Sequence, residues 1–203
     1  MNKVRTICAL SVATLLAGFN CAQAGLLGMP LGLGAAIRHI KLDGPSLPPM
    51  AHTQFCVRYN DDCRPRKMFR GGPVALTPEK WAQLQEVNRS VNRSIRPERN
   101  ELGLAGETWI INPDRGDCND YAVSKRHELL ERGWPARVLL LGEVVTQSDE
   151  HHLVLVVRTK AGDFVLDNMT AQIKPWAHVP YRWVRVQTPG NSKLWASVGG
   201  RSA

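Results

Sequence analysis

Long apolar runs, metal-binding cysteine or histidine spacings and internal repeats are all missing from this chain of 203 residues. The apolar stretch near the N-terminus, Ile7 to Phe19, is 13 residues long, short of the roughly 18 or more that a membrane span needs. No Cys-x-x-Cys or His-x-x-x-His spacing occurs, so nothing points to a closed zinc site. Aromatic residues make up 6% of the chain. The densest basic cluster, Arg64, Arg66, Lys67 and Arg70, has neither an aromatic platform nor a nucleic-acid motif beside it. The formal charge of +8 therefore reads as a solvated basic face and implies no nucleic-acid partner.

What is present begins with an export signature. Lys3 and Arg5 precede the apolar stretch, and Ala22-Gln23-Ala24 follows it. A charged start, a short apolar core and a small-x-small site predict a signal peptide over residues 1–24, cleaved after Ala24. The mature chain then has 179 residues, a charge of +6 and no membrane-spanning segment, and it is expected in the periplasm. That length suits one domain.

Export changes the cysteine arithmetic. Cys8 and Cys21 leave with the signal, and Cys56, Cys63 and Cys118 remain. Three thiols in an oxidising compartment imply one pair and one left over. Cys56 and Cys63 are seven apart in a polar segment able to turn back on itself, so they are the expected disulfide. Cys118 is the expected free thiol, and its polar flanks Asp117, Asn119 and Asp120 argue against an inert core cysteine.

Residues 25–52, rich in Gly, Leu and Pro as far as Pro49, read as an extended N-terminal arm. Thr77-Pro78-Glu79 is a helix start with a capping hydroxyl and proline at the first position. Trp81, Leu84, Val87, Val91 and Ile95 then form an apolar stripe that ends at Pro97, and these residues are assigned to the core. A second helix is predicted from Cys118 to Arg132, capped by Asp117 and closed by Gly133. Strands are predicted over 137–145, 152–158, 163–167 and 181–187, the second and third joined by a turn at Lys160-Ala161-Gly162. Residues 189–203 read as a loose C-terminal tail. Helices first and strands later indicate an α+β domain over residues 53–188, with the Cys118 helix packed on a mainly antiparallel sheet.

The chemistry of these residues is that of a cysteine nucleophile. A thiol attacks as thiolate, and a helix N-terminus or an adjacent imidazole lowers its pKa. Cys118 opens a predicted helix, and histidine and then aspartate follow it in strand-like sequence. His151 and His152 point to opposite faces of a strand, and alternation alone does not choose between them. Asp167 ends the Phe164-Val165-Leu166 run, where a carboxylate can orient an imidazole. His127, inside the helix, reads as a surface or packing residue.

Gly-Asp-Cys-Asn-Asp-Tyr-Ala from Gly116, His-Leu-Val-Leu-Val-Val-Arg from His152 and Val-Leu-Asp-Asn from Val165 together resemble the bacterial transglutaminase-like cysteine peptidase family. The match spans roughly Phe55 to Trp183. The resemblance implies a papain/transglutaminase-like fold and selects His152 over His151, giving a Cys118–His152–Asp167 triad. It implies a peptidase acting on protein amides through a thioester, on a cell-surface or periplasmic protein. The neighbouring readings are an amine-accepting acyltransferase and a non-catalytic binding module that keeps the fold. The oxyanion is expected at the Cys118 backbone N–H and one further donor, Asn112 or Trp109. Relatives include calcium-dependent periplasmic proteases that release an adhesin and carry acidic residues on both sides of the cysteine. Here Asp117 and Asp120 remain but Asn119 follows the cysteine. The expectation is therefore no required cofactor, with calcium admissible at Asp117, Asn119 and Asp120.

Overall fold

The computed structural model describes residues 38–64, 71–101 and 103–199. The expected signal peptide, the first part of the arm and most of the basic cluster lie outside the described residues. In chain order the elements begin with strand β1 (Leu42–Ser46), helix α1 (Met50–Arg58), helix α2 (Asn60–Cys63) and helix α3 (Pro78–Ser94). Strand β2 (Arg96–Pro97), helix α4 (Gly103–Gly106), strand β3 (Arg115–Gly116) and helix α5 (Cys118–Glu131) follow. The second half is β: β4 (Leu139–Val145), β5 (His151–Thr159), β6 (Gly162–Leu166), β7 (Lys174–Pro175), β8 (Arg182–Thr188) and β9 (Asn191–Val198).

Seven strands form one antiparallel sheet in the order β1-β9-β8-β4-β5-β6-β7. The α+β prediction holds, and α5 packs on β5 with α3 laid across it. The near-continuous apolar run of β4 and β5 has a direct cause: both faces of these strands are covered. Leu139, Leu141, Leu153, Leu155 and Val157 join Leu84, Val87, Val91, Val123 and Leu129 in the core under the helices. Leu140, Val144, Val154 and Val156 turn the other way, into a second cluster with Val165, Trp176 and Val186.

Local chemistry accounts for the helix ends. Thr77 Oγ1 accepts the Lys80 N–H at 3.3 Å, and Pro78 stands first in α3. Beyond α3, Ile95 is extended, and β2 leads into a two-residue parallel pairing with β3. The β5–β6 connection is the expected tight turn, closed by the Thr159–Gly162 pair with Gly162 at φ 134°.

Three expectations are corrected. Residues 191–198, expected in a loose tail, form β9, which pairs with β8 on one side and β1 on the other and buries Trp195. The turn that makes this possible is at Gly190, φ 93°, after a proline that reads on its own as the end of order. The N-terminal arm is likewise built into the sheet through β1, and α1 begins inside it with Ala51 and His52 buried. The segment between the paired cysteines is helical rather than a turn, with a break at Tyr59 between α1 and α2.

Cys56 and Cys63 are joined, with their Cα atoms 5.4 Å apart. His52, Cys56 and Cys63 are the one cluster of three metal-ligand side chains among the described residues. With both sulfurs in the bridge, it offers no thiolate to an ion. Closing so short a loop stabilises the fold by about 2–3 kcal/mol in the chain-entropy view. Cys56→Ser is therefore expected to lower the melting temperature by about 5–10 °C while leaving Cys118 alkylation unchanged. Differential scanning fluorimetry and iodoacetamide labelling of the same sample check both halves.

Candidate active site

Cys118 is the first residue of α5, and the residues around it are those of a helix cap. Asp117 Oδ1 accepts the Asn119 N–H at 2.9 Å, and Asp120 Oδ2 accepts the Asp117 N–H at 3.0 Å, a reciprocal capping box. Asp120 Oδ1 also takes the Ile110 N–H at 2.7 Å, and Ser124 Oγ takes the Asn112 N–H at 2.7 Å. The segment before β3 is thereby fastened along the first turns of α5. Gly116 is required at this approach: a Cβ there would lie 2.3 Å from Asp120 Oδ2.

A cavity of about 470 Å³ opens at this helix start, lined by Cys118, Trp109, Glu107, His151, His152 and Leu153 among others. The chain that leaves β1 and enters α1, Pro48 to Met50, forms another part of its wall. Arg185 Nη1 pins that wall by donating to the Leu47 carbonyl at 2.6 Å.

The two histidines have separate partners. His151 Nδ1 meets Glu143 Oε1 at 2.7 Å, and Arg185 binds the same carboxylate. Buried His152 puts Nε2 2.9 Å from Asp167 Oδ1. As the ring nitrogen facing a carboxylate, Nε2 carries the hydrogen, and Nδ1 remains for proton transfer. The structure thus brings His152, and not His151, to Asp167. Burial alone would raise the Asp167 carboxyl. The His152 hydrogen bond and charge, the Tyr181 hydroxyl and the Met169 N–H outweigh it and hold the pKa at about 2. Tyr181 donates to Asp167 Oδ2 at 2.5 Å, a contact with no signal in the sequence pattern.

Cys118 departs from expectation. The helix start and the imidazole predict an acidified thiol, yet burial pushes its pKa up to about 12. The Leu153 N–H opposes this, but the charges of Asp117, Glu107 and Asp120 reinforce it. The residues that cap α5 are carboxylates, and their charge opposes whatever the helix terminus would contribute. The same crowding appears in Asp120, raised to about 6, and in Glu107, raised, with burial the leading cause in both.

Of the two expected oxyanion donors, Trp109 lines the cavity, and its Nε1 donates to Glu107 Oε1 at 2.9 Å. Asn112 is exposed at φ 51°, its N–H held by Ser124, and it is not among the lining residues. Glu107 itself was missed. It receives Asn119 Nδ2 at 2.5 Å as well as the indole, and nothing in its sequence neighbourhood marks it. His127, as expected, is a half-buried packing residue, 3.0 Å from Asp62 Oδ1.

A family model described as bacterial transglutaminase-like cysteine proteinase (BTLCP) matches residues 43–203. The chain belongs to this family. It is therefore a cysteine peptidase by class, a hydrolase. Among solved structures, calcium-bound LapG of Legionella pneumophila is 22% identical, covering 75% of this chain and 83% of that one with a TM-score of 0.51. This likeness shows the fold. LapG from the same organism also aligns at 24% identity, 57% and 68% coverage and TM-score 0.47, and its EGTA-treated form at 22%, 60% and 72%, and 0.48. Among curated proteins none matches.

Lys125, two turns along α5 from Cys118, is 1% exposed. Burial lowers its pKa to about 7, with the Asp167 charge pulling the other way. An unfolded lysine keeps its proton up to about 10.5. As pH falls from there to 7, the unfolded chain takes up a proton that the folded one refuses, and stability drops. Lys125→Met is thus expected to raise the melting temperature at pH 7, with a gain that shrinks towards pH 10. Thermal denaturation of both proteins across that range checks it; a gain independent of pH would contradict it.

Proposed function

We propose that this protein is a periplasmic cysteine peptidase that hydrolyses protein amide bonds with Cys118 as nucleophile, His152 as base and Asp167 as the group that orients His152. The observation that carries the reading is that buried His152, bonded to Asp167, lines the same cavity as Cys118.

Because the thiol is held neutral, the proton leaves during attack rather than before it. His152 Nδ1 accepts the Sγ proton as sulfur bonds to the amide carbonyl carbon. The oxyanion is met by the Cys118 N–H, one of the unpaired N–H groups of a helix start. Of the two further donors expected, Trp109 lines the cavity and Asn112 does not, and the Trp109 indole would have to leave Glu107 to serve. The C–N bond then breaks, and His152 returns its proton to the leaving amine. A water gives a proton to Nδ1 and attacks the thioester. The C–S bond breaks, and the acid product leaves with the thiol restored. Asp167 stays ionised throughout, holding the Nε2 hydrogen and stabilising the imidazolium.

The donors near the helix start are of the kind calcium takes, although Asp117, Asp120 and Glu107 do not converge into a ready-made cluster. Asp117 and Asn119, with Glu107 added, form an all-oxygen set suited to a hard cation. Asp120 adds its charge, although both its oxygens already accept N–H groups. The Glu107 and Asp120 carboxyls are raised by burial first and by neighbouring carboxylates second, a crowding that a cation would relieve. Held by these residues, calcium would supply positive charge to offset the carboxylates that raise the Cys118 thiol. The family resemblance and the predicted signal peptide support a substrate at the cell surface or in the periplasm, of which adhesin release by relatives is one instance.

The test is cleavage of a mixed-sequence fluorogenic peptide library by the mature protein, with Cys118→Ser as control. Cleavage by the wild type and none by Cys118→Ser is expected. Incorporation of a dansylated amine without cleavage would show an acyltransferase instead, and inertness towards both would favour a binding module. For calcium, a melting temperature higher in calcium chloride than in EGTA, with the difference lost in Asp117→Asn, is expected. An equal melting temperature in both would remove calcium from the account.

A further inference from the structure

Helix α3 reads from its sequence as packing alone, and its apolar stripe does face the core. Two asparagines one turn apart on it do something else. Asn92 Nδ2 donates to the Asp167 main-chain oxygen at 2.9 Å and to the Thr170 oxygen at 3.4 Å. Asn88 Nδ2 donates to the Thr170 and Ala171 oxygens at 3.3 and 3.2 Å. The turn that follows β6 is thus tied to α3 through its carbonyls. The Oδ1 atoms of both asparagines are buried without a partner. An apolar side chain would fill this space without stranding an oxygen; the amides add a grip on the turn.

The other end of Asp167 is held independently. Its Oδ1 takes the Met169 N–H at 3.0 Å besides His152, and its Oδ2 takes the Tyr181 hydroxyl. The Tyr181 ring also packs edge-on against His152, with centroids 5.6 Å apart and planes at 63°. With its backbone pinned and both oxygens engaged, the Asp167 side chain has no rotation left. The imidazole that follows it inherits one orientation.

Resting on the Cys118–His152–Asp167 reading above, we propose that Asn92 and Tyr181 are positioning residues for this site. Asn92 sets where the Asp167 main chain lies, Tyr181 sets the rotation of its carboxylate, and together they fix the ring plane and tautomer of His152. Neither touches the thiol or a substrate. Removing the Tyr181 hydroxyl frees Oδ2, lets the carboxylate turn, and leaves His152 sharing its hydrogen between the two ring nitrogens.

The experiment uses mature protein labelled with ¹⁵N-histidine, in wild-type, Tyr181→Phe, Asn92→Ala and His152→Ala forms. It reads the ¹⁵N pattern of His152, the rate of Cys118 alkylation by iodoacetamide and the melting temperature. The wild type is expected to show one tautomer, protonated on Nε2. Tyr181→Phe is expected to show a mixture and to label about tenfold more slowly, as for loss of a bond to a charged group, at a melting temperature within about 2 °C of wild type. Asn92→Ala is expected to move the same two readouts in the same direction. If it fails to fold, Tyr181→Phe carries the test alone, since it removes one hydroxyl from a half-buried ring. A single Nε2 tautomer and wild-type labelling in Tyr181→Phe would overturn the proposal. Wild-type labelling in His152→Ala would sink the underlying triad reading instead, whatever the ¹⁵N pattern shows.

Discussion

The Asp120 carboxylate is the knot on which the site depends. One oxygen closes the cap of α5 on Asp117, and the other holds the Ile110 N–H. Two strands of chain and a helix start thus meet on a single side chain, which leaves room for nothing larger than glycine at position 116. Cys118 owes its place in the cavity lining to this knot, and so does Trp109, next to the tethered Ile110. Both oxygens accept hydrogen bonds from the backbone, which outlast side-chain rearrangement better than an ion pair between flexible chains.

The same arrangement carries an electrostatic penalty. A cap built from aspartates is favourable at a helix N-terminus, but here it surrounds a thiol with negative charge and, together with burial, keeps it protonated. The fold on its own thus disfavours a thiolate. On the proposed reading, reactivity is drawn from His152 at the moment of attack and is sensitive to any positive charge brought to Asp117 and Glu107. The Asp167 side lies under the opposite influence, a carboxylate held ionised by three donors.

Much of this was legible in the sequence, and the rest was not, for identifiable reasons. Helix α5 is legible because its cap, its apolar positions and its closing glycine agree. Strands β4 to β6 show as apolar runs because both faces of the sheet are covered, and the Cys56–Cys63 pair follows from counting thiols. Strand β9 was missed because Lys193 and Leu194 are exposed and Pro189-Gly190 resembles an ending; its order comes from pairing with β8 and with a β1 more than 140 residues away in the chain. Glu107, Asn92 and Tyr181 were missed for a related reason. Each acts through a few specific hydrogen bonds, and a single polar residue leaves no periodic trace. The acidified thiol was expected from a helix-end rule that is sound in itself. What it left out was burial of the thiol first, and then the charge of the residues that form the cap.

The most direct test of the account is the iodoacetamide labelling rate of Cys118 in wild-type and His152→Ala protein from pH 4 to 9 with calcium present. The account predicts labelling of the wild type that depends on the imidazole and falls at least tenfold, on the order of one lost charged hydrogen bond, in His152→Ala across the neutral range. Superimposable profiles, both rising only as a free thiol does near pH 8.5, would mean that Cys118 and His152 do not act together.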